Sequence, residues 1–145
     1  MIHPPTGEFA NGTFHFPVRV YYEDTDQQGI VFYANYLKYL ERGRTEFLRH
    51  VGAPPIDIEA QFDRVFVVAH LDIRYHGSAK LDDILVVQTT ISSFGRVRLT
   101  MEQKIYCEDV LVTTALVTLA IINGQGRPAR LSKDLEDRLQ HAFQK

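Results

Sequence analysis

The sequence predicts an α+β domain in which one long helix packs against a curved antiparallel sheet of about five strands. In one stretch, apolar residues recur at three- and four-residue steps, the period of a helix with one apolar face. Most other regular stretches alternate apolar and polar residues, the period of a half-buried strand. Short turns join these strands and favour antiparallel pairing, because a parallel crossover needs a long connection.

Length and composition set further bounds on the class of protein. A chain of 145 residues fits a single domain that buries about two-thirds of its unfolded surface. Apolar residues make up 45% and charged residues 23%, as in ordinary soluble proteins, and no apolar stretch is long enough to span a membrane. The formal charge of −2 gives no reason to expect a nucleic-acid partner.

The amino terminus and the single cysteine predict a cytoplasmic location. The first residues lack the basic cluster and apolar run of a secretory signal. Cys107 has no second cysteine for a disulfide and no neighbouring ligand set for zinc, which fits a reducing compartment. A small packing residue near a turn is favoured for Cys107 over a nucleophile.

The amino-terminal third is predicted as tail, strand, turn and helix. Residues 1–13 contain prolines and glycines and are expected to be a loose tail, whereas residues 14–22 alternate as a strand. Pro17 makes that strand an edge strand or the beginning of one. Residues 23–29 are too rich in turn formers to continue it. The long helix follows, with an apolar face of Tyr33, Leu37, Leu40, Phe47, Leu48 and Val51.

Glycines and prolines give this helix its expected packing and its end. At about twenty residues it would be about 30 Å long. Gly43 lies on its apolar face, where glycine costs roughly 1 kcal/mol against alanine, so we expect it to let another backbone approach closely. Gly52 ends the helix, and Pro54 and Pro55 prevent its continuation. Residues 56–62 are expected to form one short helical turn.

The remaining chain is predicted to contain four strands and a terminal helix. Residues 84–94 and 97–105 form a tight hairpin, and residues 110–122 are so apolar that both faces are expected to be covered. Residues 131–145 form the last helix, capped by Ser132. Its apolar face is Leu135, Leu139 and Phe143. The first of the four strands, residues 65–75, is expected to place on one side Val65, Val67, Ala69, Leu71, Ile73 and Tyr75.

The junction between the polar turn and the long helix carries the candidate chemistry. The first amides of a helix lack internal partners, so they can bind an oxyanion or polarise a carbonyl. Asp26 lies just upstream of these amides. A carboxylate beside free amides suits acyl transfer, although an aspartate in a turn also serves as an ordinary turn cap. From the residues alone, both interpretations stay open.

Motifs at this junction resemble a known family. They are Asp24-Thr25-Asp26, the run GIVFYANY at residues 29–36, and weaker matches through residues 66–68 and 79–83 to about residue 122. The chain resembles the 4-hydroxybenzoyl-CoA thioesterase family, including the Tol-Pal-associated acyl-CoA thioesterases. The resemblance implies a single hotdog domain over residues 1–145, whose sheets join edge to edge in a homodimer or homotetramer with active sites at the interface. It also implies hydrolysis of an acyl-CoA to a free acid and coenzyme A, with coenzyme A as part of the substrate and no metal or other cofactor.

The same resemblance assigns roles to individual residues. Asp26 corresponds to the catalytic carboxylate, either a nucleophile or a general base, and the backbone N–H of Tyr33 polarises the thioester carbonyl. Several relatives have histidine in place of Tyr33, so chemistry that depends on that imidazole does not carry over. Within the same motif, Gly29 and Asn35 are substrate-binding candidates. For Asn35, holding the loop and lying on the plain helix surface are the alternatives.

Coenzyme A phosphates call for basic side chains near a channel mouth. The basic candidates at or beside turns are Lys80, Arg96, Arg98, Arg127 and Arg130, and the first three are assigned to substrate binding. For each, a plain surface charge is the alternative. His70 and His76 lack metal-ligand spacing and are expected to be structural.

Other carboxylates and other functions compete with this assignment. Asp24 lies in the same loop and is expected to be structural. A second branch of hotdog thioesterases places its carboxylate on the central helix, but Glu41 and Glu46 are expected to be solvated charges or ion-pair partners. A hotdog hydratase or dehydratase is a rival enzyme, although the loop offers no histidine near Asp26. A non-catalytic acyl-CoA-binding module is a further rival.

Overall fold

The structure, a computed structural model, describes residues 1–143. Six strands form one antiparallel sheet in the order β1-β2-β4-β5-β6-β3. The predicted α+β class is confirmed, with one strand more than the expected five. The strands are β1 Glu8–Ala10, β2 Thr13–Arg19, β3 Val65–Tyr75, β4 Ile84–Phe94, β5 Arg98–Cys107 and β6 Val110–Ile122, and the helices are α1 Tyr36–His50, α2 Pro55–Phe62 and α3 Lys133–Phe143.

The additional strand β1 lies inside the segment predicted to be a loose tail. It pairs with β2 through Asn11 and Gly12, whose φ angles of 55° and 77° suit a tight hairpin turn. Phe9 of β1 packs against Phe14 and Phe47, with ring centroids 5.2 and 5.6 Å apart. The tail prediction was wrong there because the Asn-Gly pair between apolar residues is itself a hairpin signal.

Helix α1 packs tightly on the sheet at Gly43. A Cβ at this position would lie 2.6 Å from Cγ1 of Val87 on β4, so the predicted close approach is present, but a side chain rather than a backbone makes it. The helix has 15 residues, fewer than expected, because residues 33–35 form a separate 3-10 turn. Gly52, with φ of 82°, follows the end of the helix as predicted.

A β-bulge changes which side chains of β3 face the core. The pairing register with β6 shifts between Val68 and His70, so Phe66 and Val68 share the core side with Leu71 and later odd-numbered residues. The expectation that Val65, Val67 and Ala69 lie on the same side as Leu71, Ile73 and Tyr75 is therefore wrong. An extra residue in a strand breaks strict alternation, and the apolar pattern alone gave no sign of it.

The core lies between α1 and one face of the sheet. Strand β6 directs Val117, Leu119 and Ile121 into it, whereas its opposite face leaves Leu116 exposed and Thr118 half-buried. The prediction that β6 is covered on both faces is therefore wrong for the single chain. The apolar run reflects β-branched residues on both faces, not two covering layers.

The two shorter helices complete the fold. Helix α2 begins at Pro55 and, with eight residues, is longer than the predicted single turn. Ser132 precedes α3, and its Oγ accepts a bond from the Leu135 N–H at 3.3 Å, as expected of a cap. Leu135 and Leu139 are buried as predicted, whereas the side chain of Phe143 and residues 144–145 lie outside the described part of the chain.

Candidate active site

The polar turn is anchored from within by Asp24. Its side chain is buried and accepts a hydrogen bond from the Tyr21 N–H at 2.9 Å. Its backbone oxygen accepts bonds from the Phe32 N–H and from Nδ2 of Asn35, both at 2.9 Å. Asp24 is therefore structural, as expected, and Asn35 holds the loop, which is one of the roles considered for it.

Asp26 lies on the exposed side of the same turn. Its N–H donates to the Ile30 oxygen at 2.9 Å, and the Gly29 N–H donates to the Asp26 oxygen at 3.0 Å. One carboxylate oxygen, Oδ1, accepts from the Gln28 N–H at 2.8 Å. Gly29 has φ of 80° and open space around it, so the backbone conformation, not crowding, calls for glycine. The turn thus presents an accessible carboxylate, with Oδ1 already oriented by one amide.

Tyr33 opens the 3-10 turn that leads into α1. Among residues 1–143, its backbone N–H has no hydrogen-bond partner, as the sequence predicted for the first amides of this helix. Its carbonyl oxygen accepts a bond from the Tyr75 hydroxyl at 3.2 Å. The Tyr33 ring is 63% exposed and meets the Tyr75 ring edge-on at 6.0 Å, so it does not belong to the core.

The loop that precedes β4 lies against the polar turn. Lys80 forms an isolated bridge with Ile30, and the Val31 N–H donates to the Ala79 oxygen at 2.9 Å. The Lys80 N–H is held by Oδ2 of Asp83 at 2.9 Å. The structure thus places the backbone of Lys80 beside the turn that contains Asp26.

Arg96 and Arg98 lie toward the opposite end of the sheet. Arg98 pairs with Ala120 of β6, whereas Tyr75, which contacts Tyr33, pairs with Thr113. At roughly 3.3 Å per residue, these two levels of β6 are about 23 Å apart. Within one chain, the two arginines therefore do not line the same cleft as Asp26.

A groove on the face of the sheet near α1 and α2 is lined by other residues. This groove, of about 370 Å³ and here called the β3 groove, lies between α1, α2 and the start of β3. Its apolar lining includes Leu48, Ile56, Phe66 and Val68, and its polar lining includes Glu41. Because Asp26 is exposed and Tyr33 projects outward, a substrate cleft at these residues needs a further surface to close it.

The helix carboxylates Glu41 and Glu46, and the histidine His76, have ordinary partners. Glu46 pairs with Arg49 at 3.3 Å, and Glu41 accepts a bond from the Thr45 hydroxyl at 3.2 Å. His76 Nε2 lies 2.9 Å from Oγ1 of Thr114. Within residues 1–143, no group of three or more histidine, cysteine or acidic side chains is arranged to hold a metal ion, and no helix is long and apolar enough to cross a membrane.

A buried polar cluster beneath α1 was missing from the sequence-based prediction. Gln103 is fully buried, and its Nε2 donates to the Leu40 oxygen at 2.9 Å and to the Thr89 hydroxyl oxygen at 3.0 Å. Its Oε1 accepts a bond from Arg44 at 3.1 Å, and burial lowers the pKa of that guanidinium. The sequence does carry one sign of the burial of Gln103. This residue occupies an inward-facing position in the alternating pattern of β5, in line with its apolar neighbours.

A second buried polar group lies behind the turn. Tyr39 is fully buried, and its hydroxyl has no hydrogen-bond partner among the described residues. Burial, and then the nearby Asp24 carboxylate, raise the pKa of this hydroxyl, so it stays protonated at neutral pH.

Known proteins are similar to this chain in sequence and in fold. Residues 28–114 match the family described as Thioesterase superfamily, and this chain belongs to that family. It is similar to the acyl-CoA thioesterase YbgC of Haemophilus influenzae, with 37% identity over 88% of this chain and 95% of that protein. It is also similar to the acyl-CoA thioester hydrolase YbgC of Escherichia coli O157:H7, with 39% identity over 84% and 92%.

The crystal structure of a probable thioesterase from Bartonella henselae superimposes with a TM-score of 0.79 and 38% identity, over 82% of this chain and 98% of that one. The predicted family, hotdog fold and thioesterase class are thereby confirmed. The roles of individual residues, the oligomeric state and the cytoplasmic location stay predictions.

Proposed function

We propose that this protein is an acyl-CoA thioesterase that uses Asp26 as nucleophile or general base and the Tyr33 N–H as the donor that polarises the carbonyl. The observation that carries the proposal is an accessible carboxylate and an unpartnered amide on one turn–helix junction. The names of the relatives in Haemophilus influenzae and Escherichia coli support acyl-CoA as the substrate class.

Two routes use this pair of groups. In the first, the Asp26 carboxylate attacks the thioester carbonyl, the coenzyme A thiolate leaves and takes a proton from water, and a second water hydrolyses the resulting anhydride. In the second, Asp26 takes a proton from water as that water attacks the carbonyl, and the tetrahedral intermediate then expels the coenzyme A thiolate, which takes the proton back from Asp26. In both, the Tyr33 N–H stabilises the oxygen that gains charge, and losing one such donor typically costs about a hundredfold or more in kcat. Neither route needs a metal or redox cofactor.

A second copy of the chain would close the active site. Strand β3 is a sheet edge of 11 residues without proline, and it exposes Val67 and Val68, whereas the opposite edge, β1, has three residues. A long unprotected edge favours pairing with another strand. Antiparallel pairing of two β3 strands would bring the β3 groove of one copy toward Tyr33 and Tyr75 of the other. The volume of the β3 groove, about 370 Å³, fits the size range of ligand pockets.

In this dimer, the basic substrate-binding candidates would lie near the active site. Lys80 lies beside the turn in the same chain, where its side chain is suited to a coenzyme A phosphate. Arg96 and Arg98 would come near Asp26 only from the second copy. Light scattering is expected to give at least twice the 16.6 kDa of one chain, and a 16.6 kDa species that hydrolyses substrate at full rate would exclude the dimeric site.

Replacing Asp26 by asparagine tests the catalytic role. We expect Asp26→Asn to lower kcat by at least about a hundredfold, the scale of a lost nucleophile or base, without changing the circular dichroism spectrum or melting temperature. The matched control is Asp109→Asn, because Asp109 is also an exposed loop carboxylate and should be replaceable without effect. Near-normal thiol release by Asp26→Asn would exclude the proposed role.

The rival functions give different results in the same assay series. A hydratase would add water to crotonyl-CoA without releasing free thiol. A binding module would hold acyl-CoA tightly without turning it over. Thiol release from a panel of short, long and aromatic acyl-CoAs therefore separates the three functions and also identifies the preferred acyl group.

A further inference from the structure

Tyr75 contacts the proposed carbonyl-binding turn from the end of a strand. It is the last residue of β3, and its hydroxyl donates to the Tyr33 carbonyl oxygen at 3.2 Å. Its ring also packs against Tyr33 and Tyr36, with centroids 6.0 and 5.7 Å apart. Separately, Asn35 and Phe32 both donate to the backbone oxygen of Asp24. The turn that carries the free amide is therefore held by two distinct segments of the chain, the polar turn and strand β3.

The bond to Tyr33 adds a contact from a strand to a short turn. It is a 3-10 turn of three residues, and the Tyr33 carbonyl also accepts the helical bond from the Tyr36 N–H. A 3-10 turn has poorer hydrogen-bond geometry than an α-helix, so its peptide planes are easily reoriented. The Tyr33 N–H shares its peptide unit with the Phe32 carbonyl, which accepts a bond from the Asn35 N–H at 2.8 Å. The Tyr75 bond restrains the next peptide unit, so together the two bonds limit rotation about Cα of Tyr33 and thereby limit where its N–H points.

The surroundings of Tyr75 keep it in the form that can donate. Burial, and then the neighbouring Tyr33, raise the pKa of the Tyr75 hydroxyl, so it keeps its proton at neutral pH. Tyr36, next along the row of rings, is fixed in turn by the Ala79 N–H, which donates to its hydroxyl at 3.0 Å.

We propose that Tyr75 is a positioning residue for thioester hydrolysis, acting through its hydrogen bond to the Tyr33 carbonyl to hold the Tyr33 N–H in the orientation that meets the substrate carbonyl. This inference rests on the proposed function. It assigns Tyr75 no contact with the reacting atoms. The bond is longer than the usual 2.7–2.8 Å of a hydroxyl donor, so a modest effect is expected.

The substitution Tyr75→Phe removes the hydroxyl and keeps the ring contacts. We expect kcat to fall about three- to tenfold with KM unchanged, the range for loss of one ordinary hydrogen bond. The ¹⁵N–¹H signal of Ala34 should also shift in the free protein, because that N–H shares a peptide unit with the Tyr33 carbonyl. The matched control is Tyr106→Phe, since Tyr106 is a half-buried tyrosine on β5 whose side chain faces away from the core. The Tyr106→Phe variant should change neither kcat nor the Ala34 signal.

Three results would overturn the inference. An unshifted Ala34 signal in Tyr75→Phe means that the hydrogen bond is absent in solution. A shifted signal with unchanged kcat means that the bond does not affect turnover. A raised KM with unchanged kcat assigns Tyr75 to substrate binding instead. In each case Asp26→Asn would still abolish turnover, whereas failure of the proposed function would leave Asp26→Asn fully active.

Discussion

Replacing Gly43 by alanine should destabilise the protein, although alanine is the better helix former. Helix propensity alone would favour alanine by roughly 1 kcal/mol. The new Cβ, however, would lie 2.6 Å from Cγ1 of Val87, well inside the ordinary carbon–carbon contact of about 3.5–4.0 Å. Val87 is fully buried and β-branched, so it cannot turn away, and overpacking of this kind costs about 1–3 kcal/mol. The expected net loss of unfolding free energy is therefore about 1 kcal/mol.

Urea denaturation of four proteins measures this effect. They are the wild type, Gly43→Ala, Val87→Ala and the double variant, whose coupling energy should be favourable by about 1 kcal/mol because Val87→Ala removes the clashing methyl group. Lys38→Ala, on the exposed face of α1, is the control and should change stability by less than about 0.5 kcal/mol. If Gly43→Ala stabilises the protein by the full propensity gain, the helix does not lie as close to β4 as described.

Three further substitutions probe the buried polar groups and the turn. Gln103→Leu should destabilise the protein by about 2–4 kcal/mol in urea, because it leaves the half-buried Arg44 without its acceptor, and a loss below about 1 kcal/mol would contradict this. Tyr39→Phe should be neutral or stabilising by up to about 1 kcal/mol, since the hydroxyl is buried without a partner, whereas a clear loss would indicate a bond to Asp24. Asn35→Ala should lower kcat several-fold with little change in melting temperature, because the turn loses its side-chain tie, and unchanged kcat would remove Asn35 from the positioning of the turn.

Most of the fold was accessible from the sequence because local pattern and tertiary packing agree in it. The limits of β4 and β6 match the predicted ones, since apolar runs bounded by turn residues leave little choice of register. Gly52 follows the end of α1 and Ser132 caps the start of α3, both as expected. These effects depend only on neighbouring backbone groups, so the local sequence is enough to predict them.

The remaining features depend on contacts between residues that are distant in sequence. Whether Gly43 meets a backbone or the Val87 side chain is decided by how deeply the helix sinks into the sheet. The hydrogen-bond partners of Gln103 lie 14 and more residues away in the sequence. The sequence pattern therefore indicates only that Gln103 faces the interior, not which groups it bonds. Likewise, Arg98 was a reasonable phosphate candidate beside a turn, but the strand order determined that this turn lies toward the other end of the sheet.

The irregularity at Ala69 has a consequence for tolerance to mutation along β3. Before it, even-numbered positions such as Phe66 contact the interior, and after it, odd-numbered positions such as Ile73 do so. A systematic scan with charged residues should therefore show its sensitive sites switching parity at this point. Deleting Ala69 should remove the bulge and leave strict alternation, with Phe66, Leu71 and Ile73 still on the core side, whereas deleting Asp72 would turn the residues on one side of the deletion to the opposite face.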